Sequence, residues 1–338
     1  MATVSTDQTR LDHNDAQAPL LAVEGLTTRF ATPEGEVAAV SEVSFDVAPG
    51  ESLGVVGESG SGKTQLFLGV MGLLARNGAC AGSARFQGQE LLGLPARQLN
   101  DIRGVRLAMI FQDPMTSLNP YLRISRQMTE VLIEHRGVSE RDARRRSIAL
   151  LDQVGIPAAA SRVDLYPHEF SGGMRQRVMI AIALLCEPAL LIADEPTTAL
   201  DVTVQAQILD LLLQLRRELG MAIAFLFTHD LGVVAGLCER VMVMYAGRIV
   251  EDAPVDAIFE DPQHPYTQGL LHSMPRLDDA AASLHTIAGQ PPNLQALPPG
   301  CVFNDRCRFA FERCVEERPR LRGFAPGRSK ACHLERLP

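Results

Sequence analysis

A glycine-rich segment at residues 57–64 matches the pattern G-x-x-x-x-G-K-[ST], with the sequence GESGSGKT. It follows a short β-branched run and precedes a helical pattern, which is the context that a phosphate-binding loop requires. Glycines let the backbone wrap around phosphates, and the helix N-terminus adds positive potential. Lys63 would reach the β- and γ-phosphates, and the Thr64 hydroxyl would bind Mg²⁺. The segment predicts a nucleoside triphosphate site whose candidate residues are Gly57, Ser59, Gly60, Ser61, Gly62, Lys63 and Thr64.

Two adjacent acids end an apolar run at residues 190–194, where Asp194 is followed by Glu195. Neighbouring carboxylates at the end of a strand can divide the work of phosphoryl transfer. Asp194 would hold the metal, and Glu195 would polarise the attacking water. An Asp-Glu pair is a weak signal alone, but a phosphate loop earlier in the chain makes it a specific one.

Two further motifs flank this acidic run. Residues 171–176, SGGMRQ, open a helical pattern, and small residues at a helix N-terminus, with Ser171 as the cap, can bind an anion. One chain carries one phosphate loop, so this second anion site should serve a nucleotide bound across a dimer interface. His229 follows the next strand and would lie near the γ-phosphate.

Composition limits the classes of protein that fit. With 338 residues we expect about two domains. The net charge of −8 excludes electrostatic binding of nucleic acid by the whole chain, and 46% hydrophobic residues exclude wholesale disorder. Residues 1–17 lack the apolar region of a secretory signal and are predicted to be a disordered tail. No apolar stretch approaches the ~20 residues of a membrane helix, so we expect a cytosolic chain that reaches the membrane through a partner.

The elements that position these motifs follow from hydrophobic periodicity. Strands alternate with helices as in an α/β protein with a parallel or mixed sheet and a helical insertion. The predicted strands are 21–30, 37–47, 53–56, 106–111, 190–193, 223–227 and 241–244, and the predicted helices include 124–134 and 140–154. Domain boundaries are predicted at a tail 1–17, a nucleotide-binding domain 18–261, a Pro-rich linker 262–300 and a Cys-rich module 301–338.

Over residues 21–261 these motifs together resemble the ATP-binding subunit of an ABC transporter. The resemblance implies a P-loop NTPase fold of the ABC ATPase type: a mixed-sheet core, an antiparallel β subdomain and a helical subdomain at about residues 115–180. It also implies roles for further residues. Gln112 would join the metal shell and catalysis, Ser171 and Gly173 belong to the signature motif, Asp201 belongs to the D-loop, and His229 is the switch histidine. Phe30 would stack on adenine, with a core phenylalanine as the alternative.

Other segments are similar to importers of oligopeptides, dipeptides and nickel, namely FQDPMTSLNP at 111–120, HPYT at 264–267 and the Cys-containing C-terminus. This resemblance implies a second ABC ATPase subunit, either a copy or a paralogue, two transmembrane permease subunits and an extracytoplasmic substrate-binding protein. The chain would lie at the cytoplasmic face of the inner membrane. Peptides are the expected cargo, with nickel or another small solute as the alternative. A soluble ABC ATPase acting on nucleic acid or the ribosome is disfavoured by the single cassette and the negative charge.

Four cysteines crowd into the C-terminal segment with the spacing C-x5-C-x6-C-x17-C: Cys301, Cys307, Cys314 and Cys332. In a cytosolic chain, such crowding favours metal over disulfides. Zinc sites typically contain a C-x2-4-C pair, whereas an all-thiolate iron–sulfur cluster tolerates wider spacing. In peptide-importer relatives the same extension carries a 4Fe–4S cluster, and the four cysteines fall on its pattern. The prediction is therefore a 4Fe–4S module at 301–338, with zinc and free thiols as the alternatives.

Overall fold

A computed structural model describes residues 18–113, 117–198, 200–228, 231–273 and 287–337. The predicted tail 1–17 lies outside these ranges. The strands are β1 Leu21–Thr32, β2 Gly35–Val47, β3 Ser52–Val56, β4 Gly78–Phe86, β5 Gln89–Glu90, β6 Leu107–Ile110, β7 Leu190–Asp194, β8 Ala222–Phe227, β9 Arg240–Tyr245, β10 Arg248–Pro254, β11 Arg322–Ala325 and β12 Arg328–Lys330. The helices are α1 Lys63–Met71, α2 Ala96–Asn100, α3 Ile124–Arg136, α4 Glu140–Gln153, α5 Ala159–Arg162, α6 Gly172–Leu184, α7 Val202–Leu219, α8 Leu231–Leu237, α9 Val255–Glu260, α10 Pro265–His272 and α11 Glu312–Glu316.

The first strands form a small antiparallel sheet in the order β2-β1-β4-β5. β1 and β2 pair along almost their whole length, from Leu21 opposite Val47 to Thr32 opposite Gly35. One face of this sheet is buried against the rest of the protein, because Leu21, Leu26 and Val40 are fully inaccessible to solvent. The first two predicted strands are therefore present and form a hairpin, which together with β4 and β5 makes up the antiparallel β subdomain.

The main sheet has the order β11-β12-β10-β9-β3-β8-β7-β6. The five strands from β9 to β6 are parallel, and β3, β7 and β8 are buried along their whole length, as expected for a sheet covered on both faces. Parallel strands end at the same edge of a sheet. The loop after β3 and the acids at the end of β7 therefore lie on either side of the end of β8. This mixed sheet confirms the predicted α/β fold class.

A group of helices, α3 to α6, stands between β6 and β7 along the chain. Its apolar positions are buried at helical spacing; in α3, Ile124, Met128 and Leu132 are fully covered. Gly137 ends α3 in a left-handed conformation, and Ser139 caps α4. The helices run from 124 to 184, close to the helical insertion expected at about 115–180.

The segment that follows the nucleotide-binding domain 18–261, here called the C-terminal extension, packs directly onto that domain, here called the cassette. β12 pairs with β10 in the main sheet, with Lys330 opposite Glu251 and Ser329 opposite Asp252. Val302 and Phe303 are buried in the same hydrophobic core as the main sheet and the helices. The extension therefore lengthens the main sheet and shares its core. No helix in the described ranges is long and apolar enough to cross a bilayer.

Candidate nucleotide-binding site

At two positions, the backbone of the loop between β3 and α1 has a conformation that only glycine permits. Gly57 has φ 156°, and a Cβ there would lie 2.2 Å from the carbonyl oxygen of Met244. Gly62, the N-cap of α1, has φ 100°, and a Cβ there would lie 2.3 Å from the carbonyl oxygen of Ala39. The loop is thus wedged between β9 and β2, and its glycines are required by close backbone contacts.

Lys63 is buried inside this loop. Its ammonium donates to the carbonyl oxygens of Gly57 at 2.6 Å and Glu58 at 3.0 Å, and to Ser61 Oγ at 3.1 Å. Burial lowers the pKa of Lys63 to about 8, although the carboxylates of Glu195 and Asp194 act in the opposite direction. The group that would bind phosphates is therefore held in place by its own loop.

Thr64 lies against the acid at the end of β7. Its hydroxyl donates to Asp194 Oδ1 at 3.2 Å. Asp194 is only 4% exposed, and burial raises the pKa of its carboxyl group. A hydroxyl oxygen and a carboxylate oxygen at this spacing are hard donors of the kind that Mg²⁺ prefers. The pair is brought together as the sequence motifs required.

Glu195 has the left-handed backbone conformation, with φ 44°, which is unusual for a residue other than glycine. Its backbone N–H donates to the carbonyl oxygen of Leu226 on β8 at 3.0 Å. Its Oε2 accepts from Gln112 Nε2 at 2.7 Å and from the Thr198 hydroxyl at 2.8 Å. The strained turn and the two donors fix the carboxylate beside Asp194. Sequence reasoning did not identify Thr198, because a threonine after the acidic pair carries no motif of its own.

The signature residues lie at the N-terminus of α6. Ser171 is the N-cap, and its Oγ accepts from the backbone N–H of Met174 at 3.4 Å. Gly173 lies so close to α7 that a Cβ would lie 2.8 Å from Val204 Cγ1. Asp201 caps α7 and accepts from the N–H of Val204 at 3.0 Å. These side chains organise two adjacent helix N-termini, and their described contacts do not reach the phosphate loop of the same chain.

Among the described contacts, none joins Phe30 to the phosphate loop. Phe30 is half-buried on β1 opposite Val37. Its ring lies so close to Gly78 that a Cβ there would be 2.8 Å from Phe30 Cε1. The adenine-stacking role of Phe30 and its alternative, a core phenylalanine, both stay predictions. His229 lies outside the described residues.

The four C-terminal cysteines line one cavity but do not form a metal site. Cys301, Cys307, Cys314 and Cys332 surround a space of about 10 Å³, which is about enough for one water molecule. Within the described part of the chain, no three His, Cys, Asp or Glu side chains are arranged to hold a metal ion. Burial raises the pKa of Cys301 to about 12 and also raises the pKa values of Cys307 and Cys332. The predictions of a 4Fe–4S cluster and of a metal-binding module are therefore wrong, and these cysteines are free thiols in the structure.

Comparison with known proteins gives matches along most of the chain. Residues 40–198 match the family described as ABC transporter, and residues 250–314 match the C-terminal region of oligopeptide/dipeptide transporters. The oligopeptide transport ATP-binding protein OppD of Salmonella typhimurium is 56% identical, over 95% of this chain and 97% of that protein. OppD of Escherichia coli is 54% identical, over 98% of both chains.

The fold also matches solved structures. The dimeric structure of MJ0796, a bacterial ABC transporter cassette, is 27% identical and superposes with a TM-score of 0.62, covering 70% of this chain and 98% of that one. Both family matches, and relatives that are more than 50% identical over nearly the whole chain, show that this chain belongs to the ABC transporter family, as an ATP-binding subunit of its oligopeptide/dipeptide branch.

Proposed function

We propose that this chain binds and hydrolyses ATP to drive the uptake of di- and oligopeptides through a membrane importer. The observation that carries the ATPase part is the meeting of a buried lysine, a hydroxyl and two carboxylates at one edge of the sheet: Lys63, Thr64, Asp194 and Glu195. These four groups would divide three tasks of phosphoryl transfer: the lysine would bind phosphate, the hydroxyl and Asp194 would bind the metal, and Glu195 would activate water.

Mg²⁺ fits the oxygen donors of this site. The Thr64 hydroxyl and the Asp194 carboxylate are 3.2 Å apart. The carboxamide of Gln112 donates a hydrogen bond to Glu195, the residue that follows Asp194. We infer that Thr64, Asp194 and Gln112 would hold the ion. When bound, it would neutralise charge on the β- and γ-phosphates. Lys63 would exchange its contacts with loop carbonyls for contacts with phosphate oxygens.

Glu195 is the proposed general base. Its carboxylate would accept a proton from the water that attacks the γ-phosphate. Gln112 and Thr198 both donate to Oε2 of this carboxylate and hold it at the end of β7. We propose that His229 approaches the γ-phosphate from the end of β8.

Two such subunits would bind two ATP molecules between them. We infer that Ser171, Gly173 and Asp201 act on the nucleotide of the opposite subunit, since their described contacts do not reach their own loop. An anion at the N-terminus of α6 would meet exposed backbone N–H groups and the positive end of the helix. The partner subunit is proposed to be a copy or a paralogue of this chain.

The peptide cargo is proposed from the relatives. The Salmonella typhimurium and Escherichia coli proteins are named for oligopeptide transport. We propose that this chain works with two transmembrane permease subunits and an extracytoplasmic substrate-binding protein, at the cytoplasmic face of the inner membrane. Nickel remains the alternative cargo.

The test is the ATPase activity of the complete transporter in proteoliposomes with its binding protein. We expect di- or oligopeptides to stimulate hydrolysis several-fold and nickel to have no effect. Stimulation by nickel alone would overturn the peptide proposal and leave the ATPase assignment standing.

The catalytic control is Glu195→Gln. The amide keeps the shape of the side chain but cannot accept the proton, so turnover should fall by about 10²-fold or more, whichever cargo is present. Binding of Mg-ATP should be retained. Hydrolysis near the wild-type rate would contradict the role of Glu195 as the base.

A further inference from the structure

The C-terminal extension contacts the phosphate loop through a partly buried ion pair. Glu58 is the second residue of the loop, and Arg306 ends a short 3₁₀ turn, Asn304–Arg306, in the extension. Arg306 donates from Nη1 to Oε2 of Glu58 at 2.7 Å and from Nη2 to Oε1 at 3.0 Å. The side chain of Arg306 is 6% exposed and that of Glu58 is 27% exposed. This two-bond geometry is the strong form of an arginine–carboxylate contact.

Aromatic rings enclose the pair. The guanidinium lies 5.8 Å from the ring centre of Tyr245 and 5.9 Å from that of Phe303, and it also donates to the Tyr245 hydroxyl at 3.3 Å. The hydroxyl of Tyr266 accepts from the backbone N–H of Glu58 at 2.8 Å. Both the side chain and the backbone of Glu58 are therefore held by residues outside the loop.

The extension also fixes the position of Arg306 from the other side. Its Nε donates to the carbonyl oxygen of Ala288 at 3.0 Å, and its Nη2 donates to that of Ile287 at 3.4 Å. The guanidinium is thus anchored by the Pro-rich segment before it reaches Glu58. A side chain fixed in advance loses little entropy when it makes an ion pair.

The charge of Glu58 matters because this residue stands beside the phosphate site. Its carbonyl oxygen accepts from the Lys63 ammonium at 3.0 Å, and its carboxylate acts on the charge of that ammonium. Without Arg306, an unneutralised and partly desolvated carboxylate would remain on the second residue of the loop that would bind the phosphates. Like charges at short range in such surroundings repel strongly.

We propose that Arg306 is a positioning residue for nucleotide binding, through which the C-terminal extension neutralises Glu58 and holds the phosphate loop in its binding shape. The inference rests on the proposed binding of ATP at this loop. It gives the extension a direct part in the affinity for nucleotide. Neither the sequence motifs nor the family matches assign this contact.

The experiment measures the dissociation constant of the full chain for Mg-ATP by equilibrium binding, together with KM and kcat of the complete transporter. Arg306→Gln should raise the dissociation constant and KM by about tenfold, because an unpaired carboxylate is left beside the phosphates. The kcat should change by less than about twofold, since the groups that contact the reacting atoms are untouched. Arg306→Lys keeps the charge but loses the second hydrogen bond, and it should give an intermediate loss.

Two matched controls use other arginines of the same extension. Arg313→Gln removes an ion pair with Glu317 in which both side chains are more than half exposed. Arg328→Gln removes a pair with Asp261 that attaches the extension to the cassette at another point. Both variants should bind Mg-ATP like the wild type.

The double variant Arg306→Gln/Glu58→Gln distinguishes charge balance from a general structural role. Removing the unpaired carboxylate should bring the dissociation constant back to within about threefold of the wild type. The proposal is overturned if Arg306→Gln binds Mg-ATP like Arg313→Gln, if it lowers kcat alone, or if the double variant binds no better than Arg306→Gln. Absence of Mg-ATP binding by the wild-type chain would instead overturn the proposed function.

Discussion

At the scale of single residues, we predict that Lys63 links nucleotide affinity to pH. Burial lowers the pKa of its ammonium to about 8 in the folded chain, against 10.5 for the ordinary side chain. The charged form attracts phosphates, so binding must take up a proton once the pH exceeds the pKa of the free site. We expect the affinity for Mg-ATP to be nearly constant below pH 8 and to fall by up to about tenfold per pH unit above it.

The same shift predicts the direction of a stability change. Between pH 8 and 10.5 the unfolded chain binds more protons at this lysine than the folded chain does. The contribution of Lys63 to the free energy of unfolding therefore increases with pH through that window in the nucleotide-free state.

The control for the pH dependence of nucleotide affinity is Lys63→Ala, which should bind nucleotide weakly and lose the pH dependence of binding. Equal slopes of affinity against pH in the two proteins would contradict the role of Lys63.

At the scale of elements, Arg240 joins strands that carry the site. At the start of β9, its guanidinium donates to Glu51 at 2.7 Å, just before β3, and to Asp252 of β10 at 3.0 Å. All three side chains are at most 16% exposed. Removing the arginine would leave two nearly buried carboxylates without their partner. We expect Arg240→Met to lower the free energy of unfolding by about 3 kcal/mol.

Urea unfolding of the full chain measures this effect. The control is Arg29→Met, since Arg29 pairs with Glu36 on the surface and both side chains are more than half exposed. Its loss should cost less than about 1 kcal/mol. If the two variants unfolded at the same urea concentration, the ion pairs of Arg240 would contribute no more than a surface pair.

The elements near the phosphate loop could be predicted because their signals are local. The loop occupies eight consecutive residues, and Ser171 and Asp201 stand where helices α6 and α7 begin. Backbone sterics and helix capping act over a few residues, so they leave a mark in the sequence. The helical insertion and the alternation of strands and helices follow from periodicity in the same way.

Contacts between distant segments could not be predicted. Arg306 and Glu58 are 248 residues apart, and nothing in either local sequence indicates the other. The pairing of β12 with β10 also depends on how the extension folds back. The prediction for the cysteines was wrong because spacing does not report the volume they enclose or their protonation state.

At the scale of the whole molecule, we propose that the groups that bind and hydrolyse one ATP molecule belong to two different chains. Lys63, Asp194 and Glu195 meet at one edge of the main sheet, whereas Ser171 presents the N-terminus of α6 elsewhere. A site that needs both Lys63 and Ser171 would therefore require two chains. A change at Ser171 should therefore damage the nucleotide site of the partner subunit and spare the site of its own chain.

The variant Ser171→Arg tests this division. A large charged side chain at the start of α6 would block the approach of the opposite nucleotide, so ATPase activity of the assembled transporter should fall by about tenfold or more. The dissociation constant of the isolated chain for Mg-ATP should change by less than about twofold, because the phosphate loop is intact. The matched control is Ser139→Arg, since Ser139 caps α4 in the same manner and accepts from the N–H of Asp142 at 3.2 Å. Loss of that cap should cost about 1 kcal/mol of stability and leave hydrolysis unchanged. If Ser171→Arg weakened nucleotide binding by the isolated chain as much as it reduced hydrolysis, α6 would serve the site of its own chain and the two-chain arrangement would be wrong.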